Sequence, residues 1–209
     1  MSENHNIIAV YKSRNNLLDI LETRGYDVTS YKGFSISEIH TLVTQNLLDM
    51  VVKNSTTNKQ VYIKYYNLEK TIRPSNVHEL IESLFSVEEI LKPNDELLII
   101  VKDEPNETIQ KLQRSVFEHD NIFVNIINIE RLQFNILNHV LVPNHRVLTE
   151  EESDDIKKEY NIKNDKDLPS VSRFDPVSQV LGIRPGELFE ITRSSKTAIN
   201  TKFYRICST

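Results

Sequence analysis

Glu96-Leu97-Leu98-Ile99-Ile100-Val101 is a continuous apolar run with Asn94 and Asp95 before it and Lys102 and Asp103 after it. A strand with one wet face alternates polar and apolar residues. An unbroken run predicts a strand covered on both faces, as in a parallel sheet between helices. The flanks agree. Upstream, Asn76 and Glu79 frame a helical pattern of Val77, Leu80, Ile81, Leu84 and Phe85; downstream, Ile109, Leu112 and Val116 recur at helical spacing before the β-rich run 122–127. Further out, Val61-Tyr62-Ile63-Lys64-Tyr65-Tyr66 reads as another strand. Ser35 and Glu38 form a capping box for a helix with Ile39, Leu42, Val43 and Leu47. Ile7, Ile8, Tyr11, Leu17, Leu18 and Leu21 make a first helix, with Gly25 as its stop. Strands separated by helices of this length need crossover connections. Residues 1–138 are therefore expected to form an α/β domain with a mainly parallel sheet flanked by helices.

After Leu137 the rhythm changes. Leu141-Val142-Pro143 reads as a short extended piece, and Thr149 with Glu152 as a capping box for an acidic helix carrying Ile156 and Tyr160. Asp175-Pro176 is a cap followed by proline in the first turn, and Gly182 would end the short helix it opens. Arg184-Pro185-Gly186 is turn chemistry. Residues 188–193 and 203–206 read as two strands joined by a polar loop. Residues 139–209 are expected to be a second, small α+β domain, joined to the first without a low-complexity linker.

The 209 residues carry a net charge of −5, with 39% hydrophobic and 26% charged side chains, which suits a folded globular chain and not one that grips nucleic acid by bulk charge. The polar start Met1 to Asn6 lacks a signal-peptide pattern, and no apolar run reaches the ~20 residues of a membrane span. With one cysteine, an intracellular, soluble chain without disulfides is expected. Only 4 Gly are present, where ~7% usage would give about 15, while Asn and Ile are frequent; an AT-rich genome follows. Residues 176–209 hold 5 Lys+Arg against 2 Asp+Glu, so the last stretch alone is clearly basic. It reads either as a solvated end or as a docking surface for an acidic partner.

The search for catalytic chemistry finds little. No phosphate-cradling glycine motif is present. His139 and His145 stand six apart with no cysteine beside them, and read as histidines packed around Pro143 rather than as metal ligands. Cys207, in a predicted strand without basic neighbours, reads as a small core hydrophobe. Lys64 on its strand has the layout of a restriction-type nuclease sheet, but that chemistry needs an acid two residues earlier, and Tyr62 is there. The period of two puts Tyr62, Lys64 and Tyr66 on one face, as core and rim of a covered sheet or as a base-stacking platform.

From His139 the chain reads His139-Val140-Leu141-Val142-Pro143-Asn144-His145, then Leu148, Glu151 and Glu152. A second block follows: Leu168-Pro169, Asp175-Pro176-Val177, Gly182, Arg184, Gly186, Ile191, Arg193, Ser195, Thr197 and Tyr204-Arg205-Ile206-Cys207. In order and spacing these blocks resemble the fifth subunit of eukaryotic-type DNA-directed RNA polymerases, the subunit shared by polymerases I, II and III. In that family the C-terminal domain is equivalent to a small, separate archaeal polymerase subunit. The first half is similar at Arg24-Gly25-Tyr26 and in its α/β alternation. It departs in lacking tryptophan and in carrying Lys102 to Thr108 where the family has Asn-Ile-Thr.

The resemblance implies an N-terminal jaw domain over 1–138, beside downstream DNA, and a C-terminal assembly domain over 139–209 that anchors on the largest subunit. It implies a non-catalytic subunit with no cofactor, metal, membrane or small-molecule substrate, the competing reading being a degenerate nuclease-like domain. His139, Pro143, His145, Pro169, Asp175, Pro176, Gly182, Arg184, Gly186, Arg193, Thr197, Tyr204 and Arg205 become the expected interface or motif residues. A nuclear location is expected of a cellular protein, and host cytoplasm or virion of one encoded by a large DNA virus.

Overall fold

The computed structural model describes residues 2–68, 70–195 and 198–209, with side chains from Ile7 onward. The chain divides into two compact units, Met1–Asn135 and Ile136–Thr209.

In the first unit a five-stranded sheet runs in the order β1 (Tyr26–Asp27), β2 (Met50–Asn54), β3 (Gln60–Tyr65), β4 (Glu96–Val101), β5 (Phe123–Asn128). All six residues of β4 and of β5 are buried, the polar Glu96, Asn125 and Asn128 included. Helix α3 (Pro74–Ile81), continued by a π-helical turn over Glu82–Val87, links β3 to β4, and α4 (Glu107–Asp120) links β4 to β5. Val77, Ile109 and Val116 from these helices share one apolar cluster with Leu97, Ile99, Val101, Val124 and Ile126, so both crossovers cover the same face. The opposite face meets α1 (Ser2–Thr23), where Ser13 Oγ lies 3.3 Å from Tyr65 Oη. Helix α2 (Ile36–Thr44) opens on the expected capping box, Ser35 with Glu38.

The expectation of a mainly parallel sheet is corrected. Only β3–β4 and β4–β5 are parallel; β1–β2 and β2–β3 are antiparallel, so the sheet is mixed. The hairpin partner β2 went unread in the sequence, and it supplies the antiparallel half. Helix α3 also begins at Pro74 rather than at Asn76, whose side chain instead accepts from the Arg73 backbone N–H at 3.3 Å.

The second unit is a four-stranded sheet in the order β6 (Asn144–Val147), β8 (Leu188–Ser194), β9 (Asn200–Ser208), β7 (Ser170–Ser172). Helix α6 (Pro176–Leu181) lies on one face, where Leu181 and Ile183 pack with Phe189, Ile191 and Cys207. Helix α5 (Glu150–Glu159) serves the other, where Ile156 packs with Leu148, Leu188, Ile206 and Tyr204. A second correction falls here: residues 140–142 form a turn, closed by Val142 N–H donating to the His139 carbonyl at 2.9 Å, and the strand starts only at Asn144. No helix among the described residues is long and apolar enough to cross a membrane.

Candidate functional site

Strand pairing decides which of the singled-out residues meet. In the second sheet His145 is opposite Ile191, Phe189 opposite Arg205, Ile191 opposite Phe203, and Arg193 opposite Thr201. By the period of two, His145, Phe189, Ile191, Arg193, Phe203 and Arg205 therefore share a face. Helix α6 covers the Phe189 and Ile191 part of it. The remainder is open: Phe203 is 45% exposed, and the Arg193 guanidinium lies 5.4 Å from its ring centroid, a cation–π arrangement. His145 stacks on Phe189 at 5.9 Å and bonds through Nδ1 to the Pro143 carbonyl oxygen at 2.7 Å. Burial pulls its pKa down, and the neighbouring Arg193 and Arg205 charges add to that; the Pro143 bond and Asp175 oppose it. The result is an electropositive face with an exposed aromatic ring and a histidine biased toward neutrality.

Beside β6, the turn at residues 140–142 shows Val140 97% and Leu141 84% exposed. His139 holds this turn, its Nδ1 accepting from Leu141 N–H at 3.1 Å. Ile199, in the loop before β9, is also exposed. Apolar side chains held out by a fixed turn suit burial against another surface.

The other motif residues build the frame. Asp175 Oδ1 caps α6 by accepting from Val177 N–H at 3.0 Å and Ser178 N–H at 3.4 Å, with Pro176 at the first helical position. Gly182 ends the helix at φ +65. The Pro169 carbonyl accepts from Ile206 N–H at 3.1 Å, next to the β7–β9 pairing. Arg184 opens the turn in which Glu187 N–H donates to its carbonyl at 3.0 Å, with Gly186 at φ +89, while Arg184 N–H donates to Glu187 Oε2 at 2.8 Å. Tyr204 faces the other way: its hydroxyl donates to Glu190 Oε2 at 3.4 Å, and Lys202 Nζ is 3.1 Å from the same oxygen. Burial, then Glu190, raises the Tyr204 pKa. Thr197 lies outside the described residues. Cys207 is buried, and burial pushes its thiol up to about 12, so it stays protonated.

Arg184, Arg193 and Arg205 are thus not one cluster. Arg193 and Arg205 share the open face with His145, and Arg184 belongs to the turn after α6. The sequence reading missed Phe203, Val140 and Leu141 as surface features. Alternation along β9 carried the signal for Phe203, which lies two residues from both Thr201 and Arg205.

In the first unit, Tyr62 and Tyr66 pack against the helix-covered core, which makes them core and rim. Lys64 Nζ is 2.5 Å from Asp49 Oδ2, and the Tyr62 hydroxyl donates to that oxygen at 3.0 Å. Burial, then Asp49, raises the Tyr62 pKa. The carboxylate comes from the start of β2, and position 62 still offers a phenol where a nuclease needs an acid. Among the described residues no group of three or more His, Cys, Asp or Glu is placed to hold a metal.

Residues 134–207 match the family described as RNA polymerase Rpb5, C-terminal domain. Over 74 residues the chain is 45% identical to the DNA-directed RNA polymerase subunit Rpo5 of Thermococcus kodakarensis, covering 35% of this chain and 89% of that subunit. Over 75 residues it is 37% identical to the Rpo5 of Archaeoglobus fulgidus, covering 36% of this chain and 97% of that subunit. A longer similarity, 25% over 194 residues, covers 93% of this chain and 94% of the subunit rpabc1 of DNA-directed RNA polymerases I, II, and III of Dictyostelium discoideum.

Proposed function

The chain belongs to the Rpb5/Rpo5 family of DNA-directed RNA polymerase subunits, as a structural subunit of a multisubunit polymerase, and from that premise we propose that its C-terminal unit anchors it on the largest subunit. The carrying observation is one of extent: the archaeal relatives are matched over about nine-tenths of their length by little more than a third of this chain. Whatever makes such a relative a polymerase subunit is held in the part equivalent to residues 134–207. Within that part, the face of His145, Arg193, Phe203 and Arg205, with the turn at Val140 and Leu141, supplies the contact. Arginines beside an exposed aromatic ring fit a partner surface with carboxylates around an apolar centre.

The N-terminal unit is the jaw beside downstream DNA in this reading, and the boundary lies near residues 135–138. Residues 1–138 hold 14 Lys+Arg against 19 Asp+Glu, so the rest of the enzyme, not the jaw's own charge, keeps it near the nucleic acid. Neither unit catalyses. The protein works where the transcription machinery is, in the nucleus of a cell or in the compartment a large DNA virus uses.

Charge reversal tests the anchor. Truncating one partner of a desolvated charge pair costs about 2–5 kcal/mol, and reversal costs at least as much. Arg193→Glu and Arg205→Glu should therefore lower co-purification of the tagged chain with the largest subunit at least about tenfold. Lys12→Glu in the first unit should leave it unchanged. Each variant is first shown folded by circular dichroism. Wild-type recovery with both folded C-terminal variants would place the anchor elsewhere.

A further inference from the structure

The two histidines of the stretch 139–145 make bonds that fix where their protons sit. Leu141 N–H donates to His139 Nδ1 at 3.1 Å. A backbone N–H can only donate, so this nitrogen carries a lone pair and the ring proton is on Nε2. His145 Nδ1 is 2.7 Å from the Pro143 carbonyl oxygen. A carbonyl can only accept, so here the proton is on Nδ1. Burial lowers the His145 pKa, which keeps this ring neutral and leaves its Nε2 bare. The same side chain therefore plays opposite hydrogen-bonding roles at the two ends of one segment.

The segment between them has little else to hold its shape. Val140 is 97% and Leu141 84% exposed, so neither side chain anchors the turn by packing. From Leu132 to Asn144 the chain carries no Asp, Glu, Lys or Arg, so no ion pair of its own fixes it. Its backbone contributes His139 N–H to the Ile136 carbonyl at 3.1 Å and Val142 N–H to the His139 carbonyl at 2.9 Å. Pro143 then restricts φ and offers no N–H. The Leu141 N–H is satisfied by the side chain two residues earlier, which is the geometry of an Asx-turn with an imidazole nitrogen in place of the carboxamide oxygen.

We propose that His139 and His145 are positioning residues that clamp the two ends of the Val140-Leu141 turn in opposite tautomers, so that the turn meets an apolar pocket of the largest subunit already shaped. This inference rests on the reading that the turn is part of the anchor. A preset turn loses less conformational freedom on binding than a loose one. The His139 bond thus adds to affinity through the shape of the turn, without the ring touching the partner.

Two measurements test the clamp. Imidazole nitrogen chemical shifts of the full chain read the tautomers directly: Nδ1 should be bare in His139 and protonated in His145. Competition reads the docking, with each tagged variant co-expressed beside untagged wild type and recovered with the largest subunit. His139→Ala should be recovered about two- to tenfold less than tagged wild type, the worth of one hydrogen bond. His139→Asn should regain most of that loss, because its Oδ1 can accept from the same N–H two residues on. Leu141→Asp, which puts a charge into the apolar contact, should lose at least about tenfold. Both positions are exposed, and circular dichroism establishes that each variant is folded; the tautomers of the wild type decide on their own if one is not. A proton on His139 Nδ1 overturns the clamp, as does equal recovery of His139→Ala and His139→Asn while Leu141→Asp is lost. Wild-type recovery of folded Leu141→Asp overturns the docking reading itself, and the role of the clamp in docking with it.

Discussion

The two sheets treat their apolar residues differently. In the N-terminal unit β4 and the edge strand β5 are buried along their whole length, helices close one face, and α1 meets the other. In the C-terminal unit β8 is buried only over its first four residues, while Phe203 on β9 and the Val140-Leu141 turn stay in solvent. The first unit also leaves large apolar side chains in solvent, among them Leu47, Val87 and Phe134; what sets the second apart is that Phe203 stands beside Arg193 on an open sheet face and that one turn holds out both Val140 and Leu141. Scattered single apolar side chains are ordinary on a surface, whereas neighbouring ones held on a fixed turn and an open sheet face suit burial against another surface.

The largest effect that would sharpen this contrast lies in the N-terminal unit. Glu96 is buried at the start of β4, where it accepts from Arg24 Nη2 and, at 3.1 Å, from Asn125 Nδ2. Side-chain exposures of 11% for Arg24 and 4% for Glu96 keep water from replacing either partner. Removing one member of a buried pair costs about 3–5 kcal/mol, because the other charge stays buried. Arg24→Met should therefore lower the chemical-denaturation stability of the N-terminal unit by that amount, with the largest subunit giving no rescue. A loss under about 1 kcal/mol would mean that this end of the sheet is wetter than its burial implies.

How much of this was legible in the chain depended on whether the signal was local. The β4 run, the Ser35 and Thr149 capping boxes and the Asp175-Pro176 helix start are each written within a few residues, and each forms as read. Strand β2, Met50 to Asn54, is five residues long and β7, Ser170 to Ser172, is three and polar; neither has a period strong enough to stand out. Missing β2 also hid the mixed sense of the sheet. The pairing of Asp49 with Lys64 follows from the register that sets Met50 opposite Ile63, a relation between segments that no spacing encodes. Of the motif residues, sequence order could not tell those that frame the small domain, such as Asp175 and Gly182, from those on its open face, such as Arg193. Pairing makes that division.

A smaller effect addresses the covering helix of the C-terminal unit. Gly182 follows α6 with φ +65; its N–H donates to the Gln179 carbonyl at 3.1 Å and the Ile183 N–H to that of Ser178 at 3.0 Å. This is a Schellman termination, which needs a left-handed residue at that point. It also turns Ile183 into the cluster with Phe189 and Cys207. Gly182→Ala should cost about 1 kcal/mol, read as a shift in the denaturation midpoint of the C-terminal unit. The melting of the N-terminal unit should not move. Equal shifts in both transitions would show that the two units do not unfold as separate cooperative bodies.

The smallest expected effect concerns pH and the open face. His145 has a folded-state pKa below its ordinary 6.5, first through burial and then through Arg193 and Arg205. The unfolded chain therefore binds its proton more readily than the folded one, and protonation favours unfolding. The contribution of neutral His145 to stability is complete above pH 6.5 and is lost progressively as pH falls from there through the folded pKa. Its half-buried ring keeps the effect modest. Denaturation midpoints of the C-terminal unit between about pH 8 and pH 5 should fall toward acid, and His145→Phe should remove part of that slope while preserving the stack on Phe189. Arg193→Met should also flatten it, by taking away a charge that repels the imidazolium. A partner's carboxylates seated on this face would reverse the sign, raising the histidine pKa, so the bound subunit should lose less stability toward acid than the free one. An unchanged slope in His145→Phe would assign the acid sensitivity to other groups and leave His145 as packing alone.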